Sequence, residues 1–561
     1  RLLDCKRRRR GQYPANVLTE IQTQGGSELF FNITGTKINA AIAWINDVIF
    51  QAGEDPFQLN ATPMPSLPGD ERDFIIQGAV ASYVDPTSPN YTQPADQQSV
   101  MDFADQLYDE IQKKFVADAK KRSARMETKI KDQLHEGGFR QAMFDVIQDL
   151  CTYPIAILKG PILRNKKRMK WGVSGKIEYI EEPVLTFTGV DPFDFYPSPN
   201  SRTIADGYLI EHVTFNALDL MAMRGVEGWN IDAINAALID DSAHDLGNTI
   251  NGESERRLLD SLDTQVIGTN ARPFDGIEYW GPVKASLLEE WGMPLDKGVQ
   301  PGDFIEVCAV KIGRQVVKAI QNPSPLNERP YYITSYEKLP RQIYGLSIPE
   351  KMADCQDAVN PTLRNMINNL ALASGPQVGY DLDAFPANFD PKMFPWKQWG
   401  FNGSRANGRG VNPITFWQPN LNAAELLNVA EYFESRADDR TLIPRYAQGN
   451  GEVQGAGETA SGMKMLMDSA AKGVVQLIRN LDEDIVSIAI TAVYNWNLMY
   501  VPDEALKCDA QVVARGALAN IIKSQTSQKQ QEFLLNTNNP TDMAIIGLPG
   551  RATVLREIVK R

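Results

Sequence analysis

Residues suited to chemistry are few and scattered in this chain. Three histidines, His135, His212 and His244, stand in 561 residues, none paired at i, i+4 and none beside a Cys-x-x-Cys. That spacing gives neither a zinc pattern nor a metalloprotease helix. Five cysteines (Cys5, Cys151, Cys308, Cys355, Cys508) are widely separated and odd in number. They argue against a disulfide framework and for a reducing compartment. No Gly-x-x-x-x-Gly-Lys-Ser/Thr stretch for a P-loop occurs. Gly449-Asn-Gly451-Glu-Val-Gln-Gly455 superficially looks like a phosphate cradle, but it lacks a preceding strand and the third-glycine spacing of a dinucleotide site. The enzymatic alternative is a nucleic-acid-processing enzyme holding Mg²⁺ in clustered carboxylates. With 70 acidic side chains, pairs of Asp and Glu arise by chance, and no compact carboxylate motif supports that alternative. The residue types therefore predict no catalytic centre, no cofactor and no metal.

Binding chemistry is more visible. Arg164-Asn-Lys166-Lys167-Arg168-Met-Lys170-Trp171 lies between two segments of strand character and reads as a basic hairpin tip. Lys166, Lys167, Arg168 and Lys170 are its candidate contacts to phosphate or an acidic partner; a solvated tip is the plainer reading. Lys6-Arg7-Arg8-Arg9-Arg10 is either a nucleic-acid or partner-binding arm or a mobile, solvated end. No apolar stretch of the kind found in secretory signals follows it. The sequence opens at Arg1 and stops at Arg561 inside an apparent helix, so it reads as the ordered part of a longer chain.

The elements that must carry these residues follow from periodicity. Residues 14–60 read as mostly helical, with Ile38, Ala41, Ile42, Ile45 and Ile49 at helical spacing. A Pro-rich polar loop, Thr62 to Pro94, separates them from a long amphipathic helix over 96–135. Its stripe runs Val100, Phe103, Leu107, Ile111, Phe115 and then Met126, Ile130, Leu134. From Ile155 to Val190 the period shortens toward two, which predicts strands. The turn Val190-Asp-Pro-Phe-Asp-Phe-Tyr-Pro197 and a helix over Ala217–Asp240 follow. A shorter helix is expected near Glu253–Val266.

Residues 276–344 read as a compact β-rich insert, with Gly313-Arg314 joining two strands in a type II′ turn. A strong helix then begins at Ser347-Ile-Pro-Glu350, a capping-box signature, and ends at Gly375-Pro376. Met352, Cys355, Val359, Leu363, Met366 and Leu370 form its stripe, and Pro361 predicts a kink. At 1.5 Å per residue it runs about 40 Å. Strands and loops over 377–417 and a helix over Asn422–Asp439 come next. Gln448–Gly457 contains no large apolar side chain except Val453 and reads as a mobile loop. It leads into a second very long helix with Leu466, Ala470, Val474, Leu477, Leu481, Ile485, Ile488 and Ala492 at steps of three and four. Met463, Met465 and Met467 at its start suit gap-filling core better than a binding groove. Val501–Arg561 reads as helical and polar, with a turn at Gly547-Leu-Pro-Gly550.

Composition bounds the whole. At 43% hydrophobic and 9% aromatic the chain is too apolar for a disordered polyelectrolyte, and its length suggests three or four packing units. The longest apolar stretch, Ile38 to Phe50, is interrupted by Asn39, Asn46 and Asp47, so no segment is expected to span a bilayer. A formal charge of −13 argues against tight nucleic-acid binding without sequence preference, which needs a basic surface.

The order and spacing of several segments resemble the portal proteins, or head-to-tail connectors, of tailed bacteriophages. These are Val190–Pro197, Ile277-Glu-Tyr-Trp-Gly281, Gly345-Leu-Ser-Ile-Pro-Glu350 running to Asn369-Leu-Ala-Leu-Ala-Ser-Gly-Pro376, and Glu458-Thr-Ala-Ser-Gly-Met463. The resemblance spans about residues 140–520 and implies an α+β multidomain, portal-type fold. It implies a wing over 1–252 and 376–520, stem helices over 253–275 and 345–375, a clip over 276–344 and the start of a crown at 521–561. The channel loop would be Gln448, Gly449, Asn450, Gly451, Glu452, Val453, Gln454, Gly455, Ala456 and Gly457, ahead of a channel helix over 459–500. Tyr279, Trp280, Gly313 and Arg314 become candidates for docking the motor or tail.

By the same resemblance the chain would not be an enzyme. It would form a ring, usually of twelve subunits, at one vertex of the virion, after assembly in the host cytoplasm. The partners implied are double-stranded DNA in the channel, the terminase motor, adaptor or tail proteins, and capsid and scaffolding proteins, with no membrane. Another virion structural component is the remaining alternative. An acidic ring suits a conduit, because each phosphate it neutralised would add affinity and drag.

Overall fold

The computed structural model describes residues 1–50, 56–62, 77, 97–171, 177–240, 243, 256, 259, 273–293, 299–381, 385, 390, 392, 398–399, 414–443 and 476–514; for 97–111, 168, 170 and 178 it describes the backbone alone. In chain order these give α1 (Leu2–Arg10), α2 (Ala15–Thr23), α3 (Ile33–Ile49), β1 (Phe57–Ala61), α4 (Gln97–Gly137) and α5 (Phe139–Thr152). Strands β2 (Ala156–Trp171), β3 (Ile177–Val190), β4 (Phe195–Pro197) and β5 (Leu209–Phe215) follow, then α6 (Ala217–Ala222) and α7 (Ile231–Ala237). Next come β6 (Phe274–Lys284), α8 (Ala285–Glu290), β7 (Phe304–Ile312), β8 (Gln315–Gln321), β9 (Tyr331–Thr334) and α9 (Ile348–Ala373). The described part closes with β10 (Gln377–Tyr380), β11 (Ile414–Trp417), α10 (Ala423–Thr441), α11 (Ser487–Tyr500) and β12 (Ala510–Ala514). The chain divides into two compact units.

One unit joins residues 3–40 to residues 348–454. Its core sets Val359 and Leu363 of α9 against Ala430 of α10, with Phe31, Ile33, Met366 and Phe433 packed around them. As the spacing predicts, Met352, Cys355, Val359 and Leu363 are buried, whereas Leu370 in the last turn is exposed. Pro361 lies within the helix. Two buried amides hold the chain that enters α3. Gln356 accepts from the Thr34 N–H and hydroxyl and donates to the Phe31 carbonyl, and Asn360 accepts from the Phe31 N–H. Lys37 bonds the Ile443 carbonyl and pairs with Asp438 at 2.5 Å. The basic run at the N-terminus is neither a free arm nor a mobile end. It is the last turn of α1, and Arg8 grips Asp357 on α9 through two bonds of 2.8 and 2.9 Å. Strands β10 and β11 pair antiparallel beside these helices.

The other unit joins residues 41–347 to residues 455–561. Helices dominate one part of it. Met126, Ile130 and Leu134 of α4, Met143, Val146, Ile147 and Leu150 of α5, and Leu477, Leu481, Ile485, Ile490 and Val493 of the late helix, described over residues 476–500 and ending in α11, supply its buried positions. Phe115, placed on the α4 stripe by its spacing, is exposed instead. Within the stretch read as mostly helical, Phe57–Ala61 is a strand, and its partner is Ala510–Ala514, within a region read as helical. Short strands of this kind have no periodicity long enough to announce them. The side chains of α4 complete β1: Ser123 donates to the Leu59 carbonyl and Glu127 accepts from the Leu59 N–H.

The late helix departs from its expected register. A single π turn, Asp482–Val486, inserts one extra residue. Leu477, Leu481 and Ile485 are buried as expected, but beyond the turn the inner face becomes Ala489, Ile490, Val493 and Asn497, and Ile488 is exposed. The helix over Ala217–Asp240 is likewise two short helices. Gly225 and Gly228 between them take φ of +89° and +83°, which no helix accommodates. The chain thereby reaches β8, where the Asn230 N–H bonds the Val317 carbonyl.

Two sheets complete this unit. One is three-stranded, β3-β2-β9; the other is five-stranded, β4-β5-β6-β7-β8. Gly313 and Arg314 join β7 to β8 as read from the sequence, and only Gly313 of the two has positive φ, which fits a type II′ turn. The β-rich stretch over 276–344, however, does not form a sheet of its own. Strand β6 pairs with β5, and β9 pairs with β2. Expectations for Thr62–Pro94, His244, the loop Gln448–Gly457 and residues 515–561 lie outside the described residues, apart from Thr62 and Gln77 in the first. So does Glu253–Val266, apart from Arg256 and Leu259.

Candidate functional site

The strongest chemistry of the molecule is buried in the two sheets. Alternation along β5 puts Glu211 on one face of the five-stranded sheet and His212 on the other. Glu211 stands opposite Glu278 of β6 in register. Two adjacent carboxylates in an apolar setting require a cation, and Lys159 of β2 supplies it. Its Nζ lies 2.5 Å from Glu211 Oε2 and 2.8 Å from Glu278 Oε2. Tyr331 of β9 donates to Glu211 at 2.6 Å, and Trp280 donates to Glu278 at 2.8 Å. Around them pack Ile155, Ile157, Val190, Phe195, Leu209 and Cys308.

The electrostatics follow from this enclosure. Burial disfavours the Lys159 ammonium, but the two carboxylates outweigh it and raise the lysine above its usual range. Burial also raises Glu211, which Lys159 only partly offsets, whereas for Glu278 the lysine and Trp280 win and the carboxyl falls below its usual range. Burial, with both glutamates nearby, holds the Tyr331 hydroxyl well above its ordinary value, so it acts as a donor. The Cys308 thiol, also buried, is pushed up to about 11 and is a poor nucleophile.

On the opposite face His212 stands between two aspartates. Nδ1 is 3.3 Å from Asp194, and Nε2 is 3.4 Å from Asp275, an ion-pair distance rather than a well-formed hydrogen bond. Asp194, then Asp275, raise the imidazole to about 9 against the opposing effect of burial. Arg256 adds a second cation, 2.9 Å from Asp191 and 3.3 Å from Asp194, with its guanidinium over the Phe193 ring. A third fastening lies near the start of β7. Arg329 pairs with Glu306 at 2.7 Å and donates to the carbonyls of Ile204 and Gly207. In each cluster every carboxylate faces a cation fixed by the fold. The arrangement ties sheets and turns together and presents no open general base.

The residues singled out from the sequence fall differently. Trp280 is 5% exposed and belongs to the core, edge-on to Tyr331, so it offers no docking surface. Tyr279 points to the other face, half-buried and stacked on Tyr208 with ring centroids 5.9 Å apart. Arg314 is exposed at the β7–β8 turn beside Gly313. Lys166, Lys167, Arg168 and Lys170 lie along β2 rather than in a turn, where Glu182, Glu181, Ile180 and Glu178 oppose them in order. Lys167 pairs with Glu181 at 3.2 Å, and Lys166 donates to the Glu136 carbonyl at 3.0 Å. Gln448–Gly457 lies outside the described residues.

The sequence carried one usable sign of the buried cluster. Lys159 ends the apolar run Ile155-Ala-Ile-Leu and is its only charge. Glu211 and Glu278 had none, because single acids in half-polar strands look like solvent-facing positions until the sheets are stacked.

Residues 302–506 match the family model described as the phage SU10 portal protein. The match identifies a phage portal protein family. It takes in β7, β8, β9, α9, β10, β11, α10 and the late helix to Tyr500. Of the portal-family segment, Glu306, Cys308, Arg329 and Tyr331 reach into the clusters described above, while Lys159, Glu211, His212 and Glu278 precede it.

Proposed function

We propose that the chain is the subunit of a phage portal, a ring-shaped channel at one capsid vertex through which double-stranded DNA is packaged and ejected. The observation that carries this is the portal-family match over residues 302–506, which includes the 26-residue helix α9 and the late helix that follows Gln448–Gly457. On this reading α9 is the second stem helix and residues 253–275 the first. The clip lies in 276–344, with Arg314 and Tyr279 as docking candidates for the terminase motor and then for adaptor or tail proteins. The wing is formed by 1–252 and 376–520, the crown begins at 521–561, and Gln448–Gly457 is the channel loop.

A net charge of −13 per subunit supports passage rather than capture, since an acidic ring repels the duplex from its wall. Among the described residues no helix is long and apolar enough to cross a membrane. The ring, usually of twelve copies, works within the virion alongside capsid and scaffolding proteins, after assembly in the host cytoplasm.

Negative-stain microscopy of the purified chain tests the proposal. Rings with a central channel are expected; a homogeneous monomer under assembly conditions overturns it. Deleting Gln448–Gly457 is expected to leave rings intact and to impair packaging or DNA retention, whereas loss of rings would show the loop to be misplaced.

A further inference from the structure

Strand β9 stops pairing with β2 at Lys159, but β2 and β3 run on together as far as Trp171 and Ile177. Along this ribbon β2 and β3 have no other strand neighbour among the described residues. A two-stranded ribbon is marginal by itself in water. Its end carries two directly opposed apolar pairs, Met169 with Tyr179 and Trp171 with Ile177. Because side chains alternate, all four share one face. They are 71%, 76%, 73% and 55% exposed. The other face at this end holds the register positions of Arg168, Lys170, Glu178 and Ile180. Two aromatics, a methionine and an isoleucine gathered at the end of the described ribbon form the kind of patch that anchors an interface.

Charge decides what fits on it. Residues 164–182 contain six basic and three acidic side chains, a formal +3, whereas the chain as a whole carries −13. The remainder of the chain is therefore more acidic still. Hairpin against hairpin would set +3 against +3; hairpin against the body of another copy sets basic against acidic. The second contact is head-to-tail, and head-to-tail contacts close into rings when the rotation permits. DNA fits less well, because Lys167 is engaged by Glu181 and two more glutamates stand opposite Lys166 and Lys170 in register.

We propose that the apolar face of the β2–β3 hairpin, formed by Met169, Trp171, Ile177 and Tyr179, seats on the body of a neighbouring copy of this chain in a head-to-tail contact. The inference rests on the portal reading and specifies where one subunit grips the next.

The test compares the full-length chain with its Trp171→Ser, Tyr179→Ser double variant by native mass spectrometry and negative-stain microscopy. Wild-type rings and at least about tenfold weaker assembly of the variant, with an unchanged circular dichroism spectrum, are expected. Rings of equal yield from both defeat the interface and leave the portal reading intact. No assembly by the wild type defeats both. A benzophenone cross-linker placed at Tyr179 gives a second measurement that does not depend on destabilising the hairpin. Inter-chain links to residues outside 164–182 are expected; links within 164–182, or none in assembled rings, overturn the proposal.

Discussion

Lys159 and Lys167 lie on the same strand, each beside glutamate, yet they do opposite things. Lys159 has a side chain 6% exposed and holds two carboxylates that have no water to turn to. Lys167 has a side chain 77% exposed and meets Glu181 at 3.2 Å in solvent. The chemistry of the pairs is the same; the surroundings differ. In the interior, removing the cation strands two acids in an apolar enclosure. On the hairpin, water and salt replace the lost partner at little cost. Where a charge sits, rather than whether it is paired, determines how much the fold depends on it.

The comparison can be broken at its strong end first. Lys159→Met is expected to lower stability in chemical denaturation by about 3–5 kcal/mol. Adding Glu211→Gln and Glu278→Gln to it should recover most of that loss, because no buried charge then remains unpaired. No recovery would mean that Lys159 acts by packing rather than by charge.

His212 extends the comparison to a buried group that titrates. Its imidazole is held at about 9 by Asp194 and Asp275, with Arg256 also facing Asp194, against about 6.5 in an unfolded chain. The raised value means that the stabilisation is full below about pH 6.5 and is lost as pH rises through about 9. His212→Phe is therefore expected to cost about 2–3 kcal/mol at pH 6, and the gap from wild type should close by about pH 10. A gap that stays constant with pH would rule out the ionic role.

Two glycines offer the backbone counterpart. Both take positive φ, but a Cβ at Gly228 would come within 2.2 Å of Ile320, while Gly225 faces open space. Gly228→Ala should cost about 2 kcal/mol and Gly225→Ala about 1 kcal/mol. At the weak end, Lys167→Ala should change stability by no more than about 0.5 kcal/mol. A larger loss would show that the exposed pair is not screened as its surroundings imply.

Long, strongly periodic segments were the legible part of the fold. The helix from Ile348 and its buried Met352, Cys355, Val359 and Leu363 follow directly from spacing. So do the β2–β3 pairing and the Gly313-Arg314 turn. Legibility failed where one residue or one distant partner decides. The π turn at Asp482–Val486 moves the inner face from Ile488 to Ala489 and Ile490, and no period reveals an inserted residue in advance. Strands β1 and β12 are five residues each and exist as strands because they pair across most of the length of the chain. Trp280 became a docking candidate through the portal resemblance, and only the stacking of β9 on the sheet places it inside.

By itself the sequence determined the long periodic helices and the β2–β3 and β7–β8 strands, the acidic balance, and the order of segments that resembles a phage portal. Each of these is a property of neighbours along the chain or of the total composition. Tertiary structure alone decided which charges count. Lys159, Glu211, Glu278 and Tyr331 are drawn from four strands and meet only when two sheets are packed. The basic run of α1 acquires its partner Asp357 from a helix 349 residues away in the chain. A charge's worth depends on its distance from water and from its counter-ion, and both are set by packing rather than by sequence order.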